Sequence, residues 1–335
     1  MRLPKGSVAR AYPRALLGQP RSVTDWERSQ VAWVPSHRFS LGMEIGSGKF
    51  CNVYKAIDLE DPDREVAIKV FKAGKDVKVK REIFILRHLK GGPNIIDYIG
   101  AFQMPPGNES CLVFETLNET NWTEFARSLK DGEIQHYMYQ LLLSLDYVHS
   151  RGVMHRDIKP QNLLLERQSR TLRLIDFGVS DFYLPGQKYS VHVGSRYLKG
   201  PELLLGFRRY DYSLDMWAYG LTLAALVFGK HFMFVGSDDP DQLRVLHEFL
   251  GTADLKAYVK RYEMESHLNP EAYDMIVNCP VTYPKRPWSS FINETNEQWA
   301  TDLALDLIDR LVRYDHAERL TAQEAMVHPF FNGYR

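Results

Sequence analysis

The hydrophobic period of this chain changes once, and that change limits its architecture more than any other feature. Before Asn118 the apolar residues alternate as strands do; beyond it they recur at helical spacing. In Val66-Ala67-Ile68-Lys69-Val70-Phe71, alternation puts Ala67, Lys69 and Phe71 on one face and Val66, Ile68 and Val70 on the other. Strand patterns cover residues 41–71, broken by a turn at Glu60-Asp61-Pro62-Asp63, and return at 95–102 and 111–114. One helix interrupts them over 78–90, with Ile83, Leu86 and Leu89 on its apolar face and Gly91-Gly92-Pro93 as its stop. Residues 134–149, 214–228, 243–250 and 303–312 read as helices. The expected fold is α+β and bilobal: an N-terminal arm over 1–40, a strand-rich lobe with one main helix over 41–117, and a larger helical lobe over 118–335. The lobes join near residues 115–119.

Composition removes several classes of function. The 335 residues carry 42 basic and 42 acidic side chains, so no net charge draws the chain to nucleic acid or membrane. With 44% apolar and 25% charged residues it is neither disordered nor a coiled coil. The longest apolar run, 221–228, falls short of the roughly 20 residues that cross a bilayer. Three cysteines, Cys51, Cys111 and Cys279, show no pairing or metal-ligand spacing; a reducing compartment, cytoplasm and nucleus, is expected. Four Asn-x-Ser/Thr sites, at Asn108, Asn118, Asn121 and Asn293, carry no weight without a secretory signal. The first 24 residues hold five basic residues and no acid, but Pro4, Pro13 and Pro20 would break a transit-peptide helix, so an arm lying on the folded body is expected.

Ile45-Gly46-Ser47-Gly48-Lys49-Phe50-Cys51-Asn52-Val53 lies between two strand patterns. Glycines there let backbone N–H groups approach phosphate oxygens that a Cβ would block. Alone, two glycines in a hairpin are a turn, and Cys51 stands where the third glycine of G-x-G-x-x-G would be. No helix follows, which argues against a dinucleotide-binding unit. Lys69, on an apolar strand, needs an anionic partner if its stem is buried, and Glu82 on the following helix is placed to supply one.

His155-Arg156-Asp157-Ile158-Lys159-Pro160-Gln161-Asn162 follows a long helix, and Asp176-Phe177-Gly178 comes fourteen residues after Asn162. Asp176 and Asn162 offer a carboxylate and an amide carbonyl, the oxygen donors Mg²⁺ prefers. Asp157 can accept a proton from an attacking hydroxyl, and Lys159 can balance charge on a transferred group. Each could be a solvated loop residue; the order and spacing together leave chance little room.

This ordered set resembles the eukaryotic protein kinase superfamily, together with Gly200-Pro201-Glu202, Asp215 and the late Arg319. Further runs are similar to the casein kinase II catalytic (alpha) subunit family: Ser195-Arg196-Tyr197-Leu198-Lys199, Tyr210-Asp211-Tyr212-Ser213-Leu214, and Tyr314-Asp315-His316 continuing to Thr321-Ala322. The resemblance implies a Ser/Thr kinase using ATP, with GTP as a further donor, and Mg²⁺. It implies a nucleotide site at Ile45, Gly46, Ser47, Gly48, Lys49, Phe50, Cys51, Asn52, Val53, Ala67, Lys69, Glu82, Phe114, Glu115, Leu117, Leu164 and Ile175, with purine hydrogen bonds from the backbone near Glu115 and Leu117. Asp157 and Lys159 would be catalytic, Asn162 and Asp176 would hold metal, and Arg319 would pair with Glu202.

Acidic Ser/Thr substrates would be read by Lys75, Lys78, Lys80, Arg81, His192, Arg196 and Lys199, although charge runs are more often solvated faces. Departures from the family matter here. Asp76, Val77 and Phe84 stand where lysines are usual, His192 replaces an arginine and Gln161 a histidine. The acid-binding pocket should be weaker and pH-sensitive, since a free histidine loses its charge near pH 6.5. Phe177 lacks the indole donor of the family's tryptophan, which predicts a less rigidly held segment.

No Thr lies in residues 176–202, so constitutive activity is expected, with the arm holding that segment open. The competing possibility is phosphorylation of Ser190 or Tyr189 and pairing with Arg156. A regulatory beta-subunit dimer would dock on the strand face of Ile68 and Val70, with Leu41 and Tyr54 adjoining, unless that face is lobe core. Two other functions compete: a scaffolding pseudokinase, which the presence of Lys69, Asp157 and Asp176 disfavours, and a proline-directed kinase of the cyclin-dependent or MAP kinase type.

Overall fold

The computed structural model describes residues 8–48, 50–72, 76–117, 121–278 and 280–334; Lys49, Lys75, Asn118 and Cys279 lie outside the described residues. The N-terminal lobe is an antiparallel sheet of β1 (Phe39–Ser47), β2 (Cys51–Asp58), β3 (Asp61–Phe71), β4 (Tyr98–Met104) and β5 (Glu109–Glu115), in the order β1-β2-β3-β5-β4. The β2–β3 reversal comes earlier than the sequence predicts, at Leu59-Glu60. The Asp58 carboxylate, gripped by Arg38 at 2.6 and 2.8 Å, also accepts from the Glu60 backbone N–H at 3.2 Å, a local bond that turns the chain at once. The register shift between Ile57 and Asp58 leaves residues 62–64 without ladder partners, which is where Pro62 can be tolerated.

Register sorts the strand faces. Val53 pairs with Lys69 and Lys69 with Leu112, while Ala67 pairs with Phe114, so these residues share one side. The other side is a closed core: Val66, Ile68, Cys111 and Val113 are fully buried against Ala56, and Phe39 stacks on Phe102 with centroids 5.3 Å apart. The face expected to dock a regulatory subunit is thus internal at Ile68, because the arm (Val34) and β1 cover it.

Helix α1 (Asp76–His88) buries Val79, Ile83 and Leu86 under the sheet, and Gly91, in the left-handed region at φ 78°, ends the turn that follows. The C-terminal lobe is built on α2 (Trp122–Arg127), α3 (Glu133–Ser150) and the short pairs β6 (Val153–Met154)–β9 (Asp181–Phe182) and β7 (Leu163–Glu166)–β8 (Thr171–Leu174). There follow α4 (Pro201–Leu204), α5 (Ser213–Val227), α6 (Asp239–Leu250), α7 (Thr252–Arg261), α8 (Pro270–Tyr273), α9 (Asp302–Leu311) and α10 (Ala322–Met326). Helix α5 is buried on every side from Leu214 to Val227 and is apolar there except at Asp215 and Thr222. Helix α9 buries a single stripe, Ala304, Leu307, Ile308 and Leu311, and Thr301 caps it by accepting from the Ala304 N–H. One core runs from Ile83 and Leu112 of the first lobe through Leu141 and Leu145 of α3 to Leu223 and Leu307. Among the described residues no helix is long and apolar enough to cross a membrane.

The arm lies along both lobes. Leu16 is buried against Gly152, where a Cβ would meet the Leu16 Cγ at 2.4 Å. Trp26 packs on the core beside α1, and the Val34 N–H donates to the Ala101 carbonyl at 2.8 Å on the free edge of β4.

Candidate active site

Three chain segments, β3, α1 and the loop after β8, meet at Lys69. Its Nζ lies 2.7 Å from Glu82 Oε1 and 2.9 Å from Asp176 Oδ1. The sheet register aims Lys69 inward, burial of Ile83 and Val79 turns Glu82 toward it, and the loop after β8 delivers Asp176. Burial works against the Lys69 ammonium, but Glu82 and Asp176 outweigh it and raise its pKa. Burial likewise opposes charge on Asp176, yet Lys69 and its hydrogen bond hold that carboxyl down at about 2. Glu82, more deeply buried, is pushed up by desolvation against the pull of Lys69. Asp176 adopts φ +62°, a conformation costly for a residue with a Cβ, and a Cβ at Gly178 would sit tightly, 3.1 Å from both Asp176 Oδ1 and Glu82 Oε2.

A second cluster forms around Asp157. Its Oδ2 accepts from Lys159 Nζ at 2.7 Å and its Oδ1 from Ser195 Oγ at 3.0 Å, while Lys159 Nζ also reaches Ser195 Oγ at 3.2 Å. Asn162 Nδ2 donates to the Asp157 carbonyl at 2.8 Å and to its Oδ2 at 3.2 Å. Buried Asp215 fixes this loop from below, accepting from the backbone N–H groups of His155 (2.8 Å) and Arg156 (2.7 Å) and bonding His149 Nε2 at 2.9 Å. The two clusters are joined directly: Ile175 N–H donates to the Asn162 carbonyl at 3.0 Å, and His155 Nε2 bonds the Ile175 carbonyl at 3.0 Å.

Residues 39–331 match the family model of the protein kinase domain. The chain is a protein kinase family member. The match spans both lobes and every residue of the two clusters, so it is a phosphotransferase fold with ATP and Mg²⁺ as the family's usual reactants. The donor set here fits Mg²⁺. Asn162 commits its amide nitrogen to Asp157, which leaves the carbonyl oxygen as its remaining donor, and Asp176 has a half-exposed carboxylate with Oδ2 not used by Lys69. Among the described residues no group of three or more His, Cys, Asp or Glu is arranged to hold a metal. Two oxygen donors suit an ion that shares its remaining positions with phosphates and water.

The other residues expected at a nucleotide site differ in exposure. Ile45 is exposed, and Val53, Ala67, Phe114, Leu117, Leu164 and Ile175 are half-buried. The glycine turn is pinned at its base: Gly48 N–H donates to the Cys51 carbonyl at 2.9 Å, Lys72 Nζ to the Gly48 carbonyl at 2.7 Å, and Ser47 Oγ to Asn52 Oδ1 at 3.1 Å. Phe50 is exposed with Lys78 over its ring at 4.6 Å, and burial raises the Cys51 thiol pKa even though Lys69 pulls it down. The Glu115 carboxylate accepts from Asp97 N–H and Arg173 Nε, each at 2.8 Å, and fastens this strand to β8.

Most basic groups expected to read substrate are already engaged inside the chain. Lys80 donates to the Glu27 carbonyl of the arm, and Arg81 faces Asp181 at 3.8 Å, the Gly178 carbonyl and the Trp26 ring. Arg196 donates to the Ser237 carbonyl, and Lys199 pairs with Asp239 at 2.6 Å. Lys78 and His192 are exposed. Among the departures, Phe84 packs edge-on to Phe182, Val77 is exposed and Gln161 is exposed. Phe177 is fully buried and lies edge-on to His155 at 4.8 Å.

Three residues of this site went unassigned in the sequence. Ser195 touches both Asp157 and Lys159, and its place in the Ser195-Arg196-Tyr197 run gave no hint of that. Asp181 pairs with Arg156 at 3.2 Å, and Tyr183 accepts from the Ala9 N–H at 2.7 Å. Neither carries a spacing signal, since each meets a partner brought from a distant segment.

Proposed function

We propose that the chain is a serine/threonine protein kinase that transfers the γ-phosphoryl group of ATP to hydroxyls in acidic sequence contexts, active without phosphorylation of its activation segment. The carrying observation is the Asp157–Lys159–Ser195–Asn162 cluster, bonded through Ile175 to the triad of Lys69, Glu82 and Asp176. In this reading Asp157 orients the substrate hydroxyl and accepts its proton as the new O–P bond forms and the bond to the β-phosphate oxygen breaks, releasing ADP. Lys159, hydrogen-bonded to Asp157, faces the transferring group with its positive charge, and Lys69 steadies the nucleotide phosphates. Bound Mg²⁺ at Asn162 and Asp176 supplies charge neutralisation for the triphosphate.

Activity without loop phosphorylation is supported by where the charges lie. Arg156, the expected partner of a phosphate, already faces Asp181 and donates to the Val179 carbonyl at 2.6 Å. Tyr189 is buried, its hydroxyl donating to the Phe182 carbonyl and accepting from the Leu184 N–H. Asp181 holds a fixed negative charge between Arg156 and Arg81 of α1, the link a phosphate would otherwise make.

The test is Mg²⁺-dependent phosphorylation of acidic and proline-directed Ser peptides, with Asp157→Asn as control and GTP as competitor of ATP. Acidic peptides should be preferred, and Asp157→Asn should lower kcat by about 10²–10⁴-fold with its thermal midpoint nearly unchanged. Equal turnover of both peptide classes would end the acidic-context reading; undiminished turnover by Asp157→Asn would end the catalytic assignment.

A further inference from the structure

Residues 235–241 lie against the activation segment, and their acids have separate duties. Asp238 caps α6, its Oδ1 accepting from the Asp241 N–H at 2.8 Å. Asp241 accepts from the Ser237 N–H at 2.8 Å and pairs with Arg244 at 2.6 Å. Asp239, the first residue of α6, turns the other way and pairs with Lys199 Nζ at 2.6 Å. The Lys199 side chain is only 11% exposed, against 42% for Asp239. Lys199 also lines, with Asp157 and Ser195, one small cavity beneath the catalytic loop. The Lys199 ammonium, beside Asp157 and Ser195, therefore already has a carboxylate.

We propose that Asp239 is a specificity-determining residue that occupies Lys199 in place of a substrate carboxylate. This inference rests on the acidic-context reading above and refines it. A nearly buried ammonium without a partner is costly, so Lys199 and Asp239 hold each other in the free enzyme. A substrate acid arriving at Lys199 must displace Asp239, exchanging one ion pair for another with little net gain. Among the described residues expected to read substrate, acid recognition then falls to the two that remain exposed, His192 and Lys78. Arg196 belongs to the same arrangement, since its guanidinium is tied to the Ser237 carbonyl two residues before Asp239.

The experiment measures kcat/KM of the full chain for Ser peptides that differ by Asp or Ala at each of the four positions after the Ser. The wild-type chain should show an Asp/Ala ratio below about two at the position passing Lys199. Asp239→Asn should raise that single ratio about three- to five-fold, the scale of a half-exposed ion pair, and leave the other three unchanged. In a Lys199→Gln background the same substitution should do nothing. Unchanged ratios in Asp239→Asn, or an equal rise in the Lys199→Gln background, overturn the proposal. Asp239→Ser, which suits a helix N-terminus, repeats the test should the asparagine variant fold poorly. A wild-type chain indifferent to acid at all four positions, with one ratio rising in Asp239→Asn, would remove the acidic-context reading and leave this inference standing. An acid-preferring wild type with no response to Asp239→Asn would do the reverse.

Discussion

Lys69 shows how one side chain ties the two lobes together. A lysine stem on an apolar strand face is unfavourable unless its ammonium meets carboxylates, and here it meets two. Glu82 is almost wholly buried, while Asp176 keeps a half-exposed carboxylate. The sign of the Asp176 shift fixes a pH dependence. Its folded pKa of about 2 lies below the ordinary value of 3.8, so its contribution to stability is complete above about pH 4 and is lost as pH falls toward 2. Thermal midpoints of the wild type and Asp176→Asn should therefore differ most at neutral pH and converge between pH 4 and 2. A gap that stays constant through that range would show that Lys69 does not depress this carboxyl.

At the scale of elements, the activation segment is held by partners from three directions. Arg81 on α1 and Arg156 on the catalytic loop both face Asp181. From the arm, Ala9 is buried among Tyr183, Tyr189, Tyr210 and Tyr212 and donates its N–H to Tyr183. The same arm reaches α1 through Glu27 to Lys80 and Trp26 to Arg81, so it touches the segment and the helix that positions Glu82. Removal of residues 1–34 should lower kcat at least tenfold, and Trp26→Ala should weaken ATP binding by way of α1 while leaving the peptide KM nearly constant. Full activity in the truncated chain would refute a supporting role for the arm.

The whole molecule is closed by a buried ion pair. Glu202 and Arg319, both fully buried, meet in two bonds of 2.7 Å; Arg319 also donates to the carbonyls of Arg313, Ser213 and Tyr314 and stacks over Trp217 at 5.0 Å. Burial opposes the charge on Glu202, and Arg319 overcomes it, keeping the carboxyl below its usual range. Arg319→Ala leaves an uncompensated carboxylate inside the larger lobe and should cost about 3–5 kcal/mol in chemical denaturation. Loss of less than about 1 kcal/mol would mean that water reaches Glu202 in the variant.

Local pattern was enough to read the two lobes, the strand faces and the helix bearing Glu82, because alternation and helical spacing follow from backbone geometry alone. The ordered motifs also singled out Lys69, Glu82, Asp157, Asn162 and Asp176, which hydrogen bonds and ion pairs draw into two adjoining clusters. What the pattern could not decide was which charges meet. The early reversal at Leu59-Glu60 depends on Arg38 reaching Asp58, and the closing of the Ile68 face depends on Phe39, Phe102 and Val34 arriving from elsewhere. Lys80, Arg81 and Lys199 read in sequence as a basic surface, yet each is engaged by a partner 40 or more residues away. A side chain's charge is a property of sequence; whether that charge is available to a ligand is settled by which distant atoms the fold places within a hydrogen bond of it.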